Sequence, residues 1–526
     1  MDSEVTTPKD NGIRWWPAVV VLIMTSLALG VAWFGIDQPR QSKNIATAAI
    51  FLCSGVLWVL WWLVFSRIPL GLRLGIFAVV AGVLGVAVSQ LTIVGVSGDL
   101  VPVLGWKHAS RDIEGEDPEP DVDIELGPSV MATDASWAVE SMSFEQFLGP
   151  ERNTQIPITA MGMGFLDTPP EVFWKIPMGK GWSGFVVQGG RALTQEQQGK
   201  EETLSCYALG TGELLWRHRY PSAYESVIAG DGPRATPTIS GERVLSMGSH
   251  GMLSCVDLAT GELRWSHDVL VEQGGKTPEW GFSPSPLVMD QKVIVPAGEG
   301  ARAGLVVYDL ETGALLQSYP AVKSSYSSPM TAPWGDDLQI IYFYEGGVAG
   351  FDVKEPDHLW DMPWGSVYPD VAVPLILPGQ RLLISSGYGV GSALLQLEGE
   401  GADWSASLIW KGRSLKAKFS NVAERDGFVY GLDDGIMVCI DLETGKRQWK
   451  EGRYGHGQLL MLEDVLLVTC EDGRVIWMTI DPVKPNILAE WQALDGKCWN
   501  PPCLAWPFLI LRNDREAVCY ALEELL

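Results

Sequence analysis

The side chains of this chain with the most obvious capacity for metal or nucleophile chemistry are eight cysteines and six histidines. The cysteines include no C-x-x-C and no adjacent pair, so neither a thiol redox couple nor a zinc ribbon is supported. Cys206, Cys255, Cys439 and Cys519 each stand two residues before the Asp or Ala of a recurring turn, a slot filled elsewhere by Val307 and Gly350. Such a slot is a packing position for a small apolar side chain. Cys53 falls within an apolar run, while Cys498 and Cys503 are close enough in sequence for a disulfide in an oxidising compartment. The histidines (108, 218, 250, 267, 358 and 456) are scattered singly, with no H-x-H or H-E-x-x-H arrangement for a metal. His218 and His267 follow a repeated Trp and read as surface residues. Neither a G-x-S-x-G elbow nor a phosphate-binding loop is present. The more informative spacing belongs to aromatic and cationic residues. Trp182, Arg234, Trp280, Tyr326, Tyr368, Lys418, His456 and Trp499 follow one another at a similar interval, allowing a slip of two residues. Gathered into a ring, they would offer stacking faces and positive charge to a flat or anionic ligand, or to an extended peptide. The alternative is a ring of aromatics that simply plugs a channel.

A repeat positions these residues. DLATGELRW (257–265) recurs as ALGTGELLW (208–216), DLETGALLQ (309–317) and DLETGKRQW (441–449). Weaker copies end at Trp360, Trp410 and Trp491, and an isolated strand ends at Trp174. The period is about 45 residues, the length of one four-stranded propeller blade. Thr-Gly after an Asp-bearing strand makes a tight hairpin: Gly takes the positive φ, and the Asp carboxylate bonds back to the turn amides. The following Trp can wedge between neighbouring blades. A second hairpin upstream, as in TPTISGERVLSMG (236–248), completes four antiparallel strands. The last copy lacks its Trp strand, which 170–175 would supply, closing the ring from both ends of the domain. The expected fold is therefore all-β, an eight-bladed propeller, or seven-bladed if 394–410 is an insertion.

Ahead of the repeats lie three uncharged apolar stretches, at about 16–36, 45–65 and 74–95. Each is long enough to cross a bilayer as a helix, with Trp15, Trp16, Trp61 and Trp62 near the edges of the set. Two further spans after the first argue against a cleaved signal peptide. Flanking charge is balanced, with Lys9, Arg14, Arg67 and Arg73 on one side and Arg40, Lys43, Lys107 and Arg111 on the other, so it fixes no orientation. Between Asp112 and Glu125 stand eight acidic residues, two prolines and no basic residue. That composition reads as an extended, self-repelling tether. The organisation expected is a three-helix transmembrane anchor (1–100), an acidic extended linker (101–135) and the propeller (136–526). A formal net charge of −26 without a Lys/Arg run argues against a nucleic-acid partner.

The D-x-x-T-G-x-x-x-W copies resemble those of the pyrroloquinoline-quinone (PQQ)-like propeller family. The likeness extends over about 130–526, including FEQFLGPERN (144–153), GWSGFVVQGGRALTQEQ (181–197) and GDGPRATPTI (230–239). The resemblance implies the propeller fold and, as a rule for the family, a place outside the cytoplasmic membrane. The family holds quinoprotein alcohol and glucose dehydrogenases, which use PQQ with Ca²⁺, a carboxylate base and often an adjacent-cysteine disulfide. It also holds non-enzymatic relatives, such as the propeller lipoprotein of outer-membrane barrel assembly, and membrane-tethered bacterial proteins. Here the adjacent cysteines are missing, and the calcium-ligand and base motif maps onto no residues. The expectation is thus a non-catalytic binding or scaffold propeller at the cytoplasmic membrane, facing the periplasm, without a cofactor. It would meet a protein partner or a small ligand at the channel. The alternative is a membrane-bound PQQ- and calcium-dependent dehydrogenase oxidising an alcohol or sugar.

Overall fold

The structure, a computed structural model, describes residues 13–36, 38–107, 141–160, 163–334, 337–365 and 368–523. The acidic run 112–125 lies outside these residues. The chain divides into two units, 1–115 and 116–526.

The first unit contains three apolar helices. α1 (Trp16–Gly30) and α2 (Arg40–Leu60) each end in a π-helical turn, Val31–Gly35 and Trp61–Phe65 respectively; α3 is Leu70–Gln90. With these turns the helices run 20, 26 and 21 residues, each long and apolar enough to cross a bilayer. The third is shorter at its end than the apolar run implied. Leu91–Val96 forms a strand, β1, which pairs antiparallel with β2, Pro102–Trp106. Residues 102–106, assigned to the linker from sequence, thus belong to a hairpin. The apolar run continues past the helix because Thr92, Ile93, Val94 and Val96 are β-branched and prefer the extended backbone.

Among its described residues the second unit holds eight four-stranded antiparallel sheets in a propeller-like arrangement. In chain order they span 186–221, 238–268, 287–318, 330–363, 375–412, 423–451 and 458–492. The eighth joins 503–521 to the strand β3, Val172–Pro177. The weak copy at 394–410 is no insertion. It lies in the two ten-residue outer strands of the fifth sheet, Gly391–Glu400 and Asp403–Gly412.

The repeat acts as a latch between sheets. Asp257 accepts hydrogen bonds from the amides of Ala259 and Thr260, and Asp309 and Asp441 do the same for Thr312 and Thr444. The turn glycines 212, 261, 313 and 445 have φ between 65° and 74°. Each also lies against the Trp of the preceding sheet: a methyl group on Gly261 would sit 2.4 Å from the Trp216 ring. The indole N–H then donates across the same boundary. Trp174 bonds to the Leu209 carbonyl, Trp216 to Leu258, Trp265 to Leu310, Trp410 to Leu442 and Trp449 to Asp481, at 2.7–3.1 Å.

The cysteine slot lies directly across the strand pair from this Trp: Cys206 faces Trp216, Cys255 faces Trp265, Cys439 faces Trp449 and Cys519 faces Trp174. All four thiols are fully buried. In the seventh sheet the arrangement is exchanged. Trp477 fills the slot and faces Ala489, while Trp491 lies two residues further along, opposite Val475. Position 491 is therefore not equivalent to the other repeat ends. Cys498 and Cys503 are free thiols, not a disulfide. Cys498 donates its S–H to the Arg512 carbonyl at 3.2 Å, and Cys503 pairs across the strands with Ile510.

Candidate functional site

Each innermost strand is preceded by an irregular segment, and the eight candidate ring residues all stand in these segments or at their ends. Hydrogen bonds lock the segments to one another in a closed girdle. The Gly184 amide donates to Thr236 Oγ1 (3.1 Å), the Thr236 amide to Ser285 Oγ (3.0 Å) and the Ser285 amide to Ser328 Oγ (2.9 Å). Ser327 Oγ donates to the Ala372 carbonyl, and the Val373 amide to Asn421 Oδ1. Gln458 Nε2 donates to the carbonyls of Phe419 and Trp499, and Asn500 Nδ2 returns to the carbonyls of Gly181 and Ser183 in front of the first sheet. Every sheet takes part. Because these bonds use short side chains buried from water, the segments they hold are fixed in height and spacing.

On this girdle the ring residues meet. Trp182 and Trp499 lie with ring centroids 5.0 Å apart, and Lys497 sits over both indoles, its Nζ 4.6 and 3.9 Å from their centroids. Phe419 packs 5.3 Å from Trp499 and 5.3 Å from His456. Lys418 lies over Phe419 and over Tyr388, which stacks on Tyr368 at 5.1 Å. The Trp280 amide donates to the Tyr326 hydroxyl (3.1 Å). Arg234 stacks on Tyr224 at 4.7 Å and donates to the carbonyls of Ala229 and Gly230, and Gly230 in turn packs on Trp182. The structure thus brings all eight residues to one face. It adds Tyr224, Tyr388, Phe419, Lys497 and Glu471, whose carboxylate accepts from the Trp499 indole and the His456 amide. Phe419 and Lys497 adjoin ring positions and were within reach of the spacing argument. Tyr224 stands ten residues before Arg234 in the same segment, outside the slip allowed, and Tyr388 lies in a turn within the fifth sheet, so neither carried a sequence signal.

Burial sets the electrostatics of this face. It pulls the Lys497 ammonium down to about 8, helped by Arg234 and opposed by Asp514, Glu471 and Asp231. It also lowers Arg234 and pushes the Tyr326 phenol up to about 12. Asp370, two residues beyond Tyr368, is buried, with Oδ1 accepting from Ser386 Oγ at 2.5 Å and Oδ2 without a partner. Desolvation raises its carboxyl to about 7; Glu345 adds to the rise, while Ser386 and the Gly346 amide oppose it. A folded-state pKa above the unfolded value of about 3.9 means the native protein holds the extra proton. Its contribution is complete below the unfolded pKa and is lost as pH rises through about 7. Stability should therefore fall by about 1 kcal/mol between pH 6 and 7.5 in urea titrations. Asp370→Asn should flatten that fall.

The far side of the channel is closed. The segment Met142–Ile158 crosses it, bonded to Trp506, Val187 and Ile239 and continuing to Val422, Glu424 and Met461. Leu148 packs among the apolar side chains of the fourth and fifth sheets. Arg152, 3% exposed, donates to the carbonyls of Ser285, Pro286 and Pro329 and to Gln146 Oε1. Desolvation lowers its guanidinium to about 9. The ring residues stand two to seven residues upstream of the inner strands, whereas this plug meets the chain immediately before those strands or within them, so ring and plug lie at different heights along the axis.

Among the described residues no three His, Cys, Asp or Glu side chains converge as a metal site. The mouth indoles Trp182 and Trp499 are covered by the chain's own Lys497. Among the described residues the histidines do not cluster, and His267 and His358 stack on Tyr308 and Phe351.

A family model described as outer membrane protein assembly factor BamB matches residues 173–451, more than half of the chain. Among solved structures, BamB from Moraxella catarrhalis aligns at 16% identity and a TM-score of 0.48, covering 68% of this chain and 98% of that one. A europium-containing methanol dehydrogenase aligns at 12% identity and 0.54, covering 70% and 89%. The quinohemoprotein alcohol dehydrogenase of Comamonas testosteroni aligns at 11% and 0.51, covering 74% and 82%. At these identities the likeness is one of fold. No curated protein matches the chain.

Proposed function

The chain belongs to the PQQ-like repeat β-propeller family, and from that premise we propose that it is a non-catalytic binding or scaffold module. In this reading the apolar helices hold it in the cytoplasmic membrane, with the propeller on the periplasmic face. One observation carries the proposal: the girdle fixes an aromatic and cationic mouth at one end of a channel whose other end the chain itself closes. Such a mouth presents Trp280, Tyr326 and Tyr368 for stacking, with the positive charge of Arg234, Lys418 and Lys497 set among the aromatic rings, the means by which a partially desolvated surface holds an anionic or aromatic group. The matched family's description as an assembly factor supports a protein partner rather than a turnover substrate. The cofactor-free reading is supported by the chain's own Lys497 lying over the Trp182 and Trp499 indoles.

Two measurements test the proposal. Adding PQQ and Ca²⁺ to purified protein should give neither saturable binding nor dye-linked oxidation of alcohols or sugars; tight binding with turnover would replace it with the dehydrogenase reading. Crosslinking in native membranes should capture a partner that Trp280→Ala and Arg234→Ala each weaken by about tenfold, the loss of one stacking or charged anchor. Unchanged capture by both variants would remove the mouth from the function.

A further inference from the structure

The hairpin formed by β1 and β2 has an unusual surface for a small sheet. Ile93, Val101, Val103, Leu104 and Trp106 are each 46–60% exposed, and the exposed run along β2 does not alternate between faces. No charged side chain occurs from Leu91 to Gly98 or from Leu100 to Trp106. An isolated two-stranded hairpin is marginal in water, and one with apolar side chains on both faces loses the solvation its edges would otherwise support. Among the described residues no third strand joins this sheet, and an open sheet edge is not tolerated within hydrocarbon.

Its place in the chain resolves the conflict. β1 begins at the residue after α3 ends, where the third apolar helix would leave a bilayer. The tip is pinned to the start of α2 at the same level: Arg40 Nε pairs with Asp99 Oδ2 at 3.1 Å, and Asn44 Nδ2 donates to the Asp99 carbonyl at 2.9 Å. Ser97 closes the turn, its hydroxyl accepting from the Val101 amide. The hairpin is thus tied at its tip to the start of α2 and at its base to the end of α3, with its one acidic side chain already paired.

We infer that β1–β2 is an interfacial element that embeds Ile93, Val101, Val103, Leu104 and Trp106 at the boundary between headgroups and acyl chains. The occupant of its apolar surface is the lipid of the bilayer its own helices cross. Headgroups and water satisfy the strand edges, acyl chains cover the side chains, and Trp106 sits at the depth indole rings favour. The inference rests on the helices spanning a bilayer and not on what the propeller binds.

The test is site-directed spin labelling of the full chain in nanodiscs. Cys53→Ser removes the one exposed native thiol; Val103→Cys, Leu104→Cys or Trp106→Cys then carries the nitroxide, with Lys107→Cys as the reference. Collision rates with oxygen relative to a water-soluble nickel chelate should be about threefold higher at 103, 104 and 106 than at 107, as for labels at the acyl boundary. A ratio equal to that at 107 would put the hairpin in water and overturn the inference. Protection from both reagents would show protein covering it, and would overturn it as well. Loss of partner capture at the propeller with the expected collision profile retained would count against the proposed function alone.

Discussion

Trp265→Ala should lower the unfolding free energy of the propeller by about 3–5 kcal/mol, the range for truncating a large buried aromatic. Three contributions meet at this residue. Its ring is 9% exposed and fills the space between the second and third sheets. Its indole N–H satisfies the Leu310 carbonyl at 2.9 Å, and its face lies on Gly313 of the next hairpin. Alanine forfeits the buried area, opens a cavity and leaves the carbonyl without its donor. The measurement is a urea transition of the full chain in detergent, followed by near-ultraviolet circular dichroism and compared at constant slope. Trp265→Phe separates the parts: it keeps most of the area, loses the hydrogen bond and should cost about 1–2 kcal/mol. Trp491→Ala, outside the latch position, should cost less than Trp265→Ala. Equal losses at 265 and 491 would show that the latch adds nothing to ordinary burial.

Arg152→Met should cost about 3 kcal/mol, because methionine retains the aliphatic reach but strands the Ser285, Pro286 and Pro329 carbonyls in a dry site. Among the described residues no carboxylate bonds to this guanidinium, so its charge is unfavourable in place, and burial pulls its pKa down to about 9 accordingly. The planar fork offsets that cost by meeting four acceptors from three directions at once. Arg152→Lys should therefore rescue little, since an ammonium cannot reach the same set. Limited proteolysis provides the local readout: cleavage within 142–158 should rise in both variants while the sheets stay protected. A wild-type pattern in Arg152→Met would show that the plug is held by its backbone pairing with Val187, Ile239 and Met461 alone.

The sheets were legible because the constraint that builds them is local. Asp, Thr-Gly and Trp each answer to a turn or to the neighbouring turn, so they recur with the period. The copy at Trp491 misled because an indole can fill the same space from either strand, and in the seventh sheet it comes from Trp477, leaving Ala489 opposite. The ring of eight was legible by counting back from each inner strand. The girdle beneath it was not, since Thr, Ser, Asn and Gln meet the same hydrogen-bonding need and leave no common residue to recognise. The plug was equally silent. It occurs once, and what defines it is reach: Leu148, Arg152 and Thr154 adopt positive φ to thread between sheets far apart in sequence. The strand β1 was hidden in an apolar run whose length matched a bilayer, where only the change to β-branched residues marks the helix end.

The order of plug and closing strand along the chain has a mechanical consequence. Tension arriving from the N-terminal side reaches Met142–Ile158 before it reaches β3, the strand that joins the two ends of the propeller. The plug's bonds are shared among sheets on all sides of the axis, so a pull is divided among many attachments loaded together. Were β3 the first point of attachment, the same pull would open its ladder with the last strand one bond at a time. The chain is fastened at its hub before it is fastened at its rim.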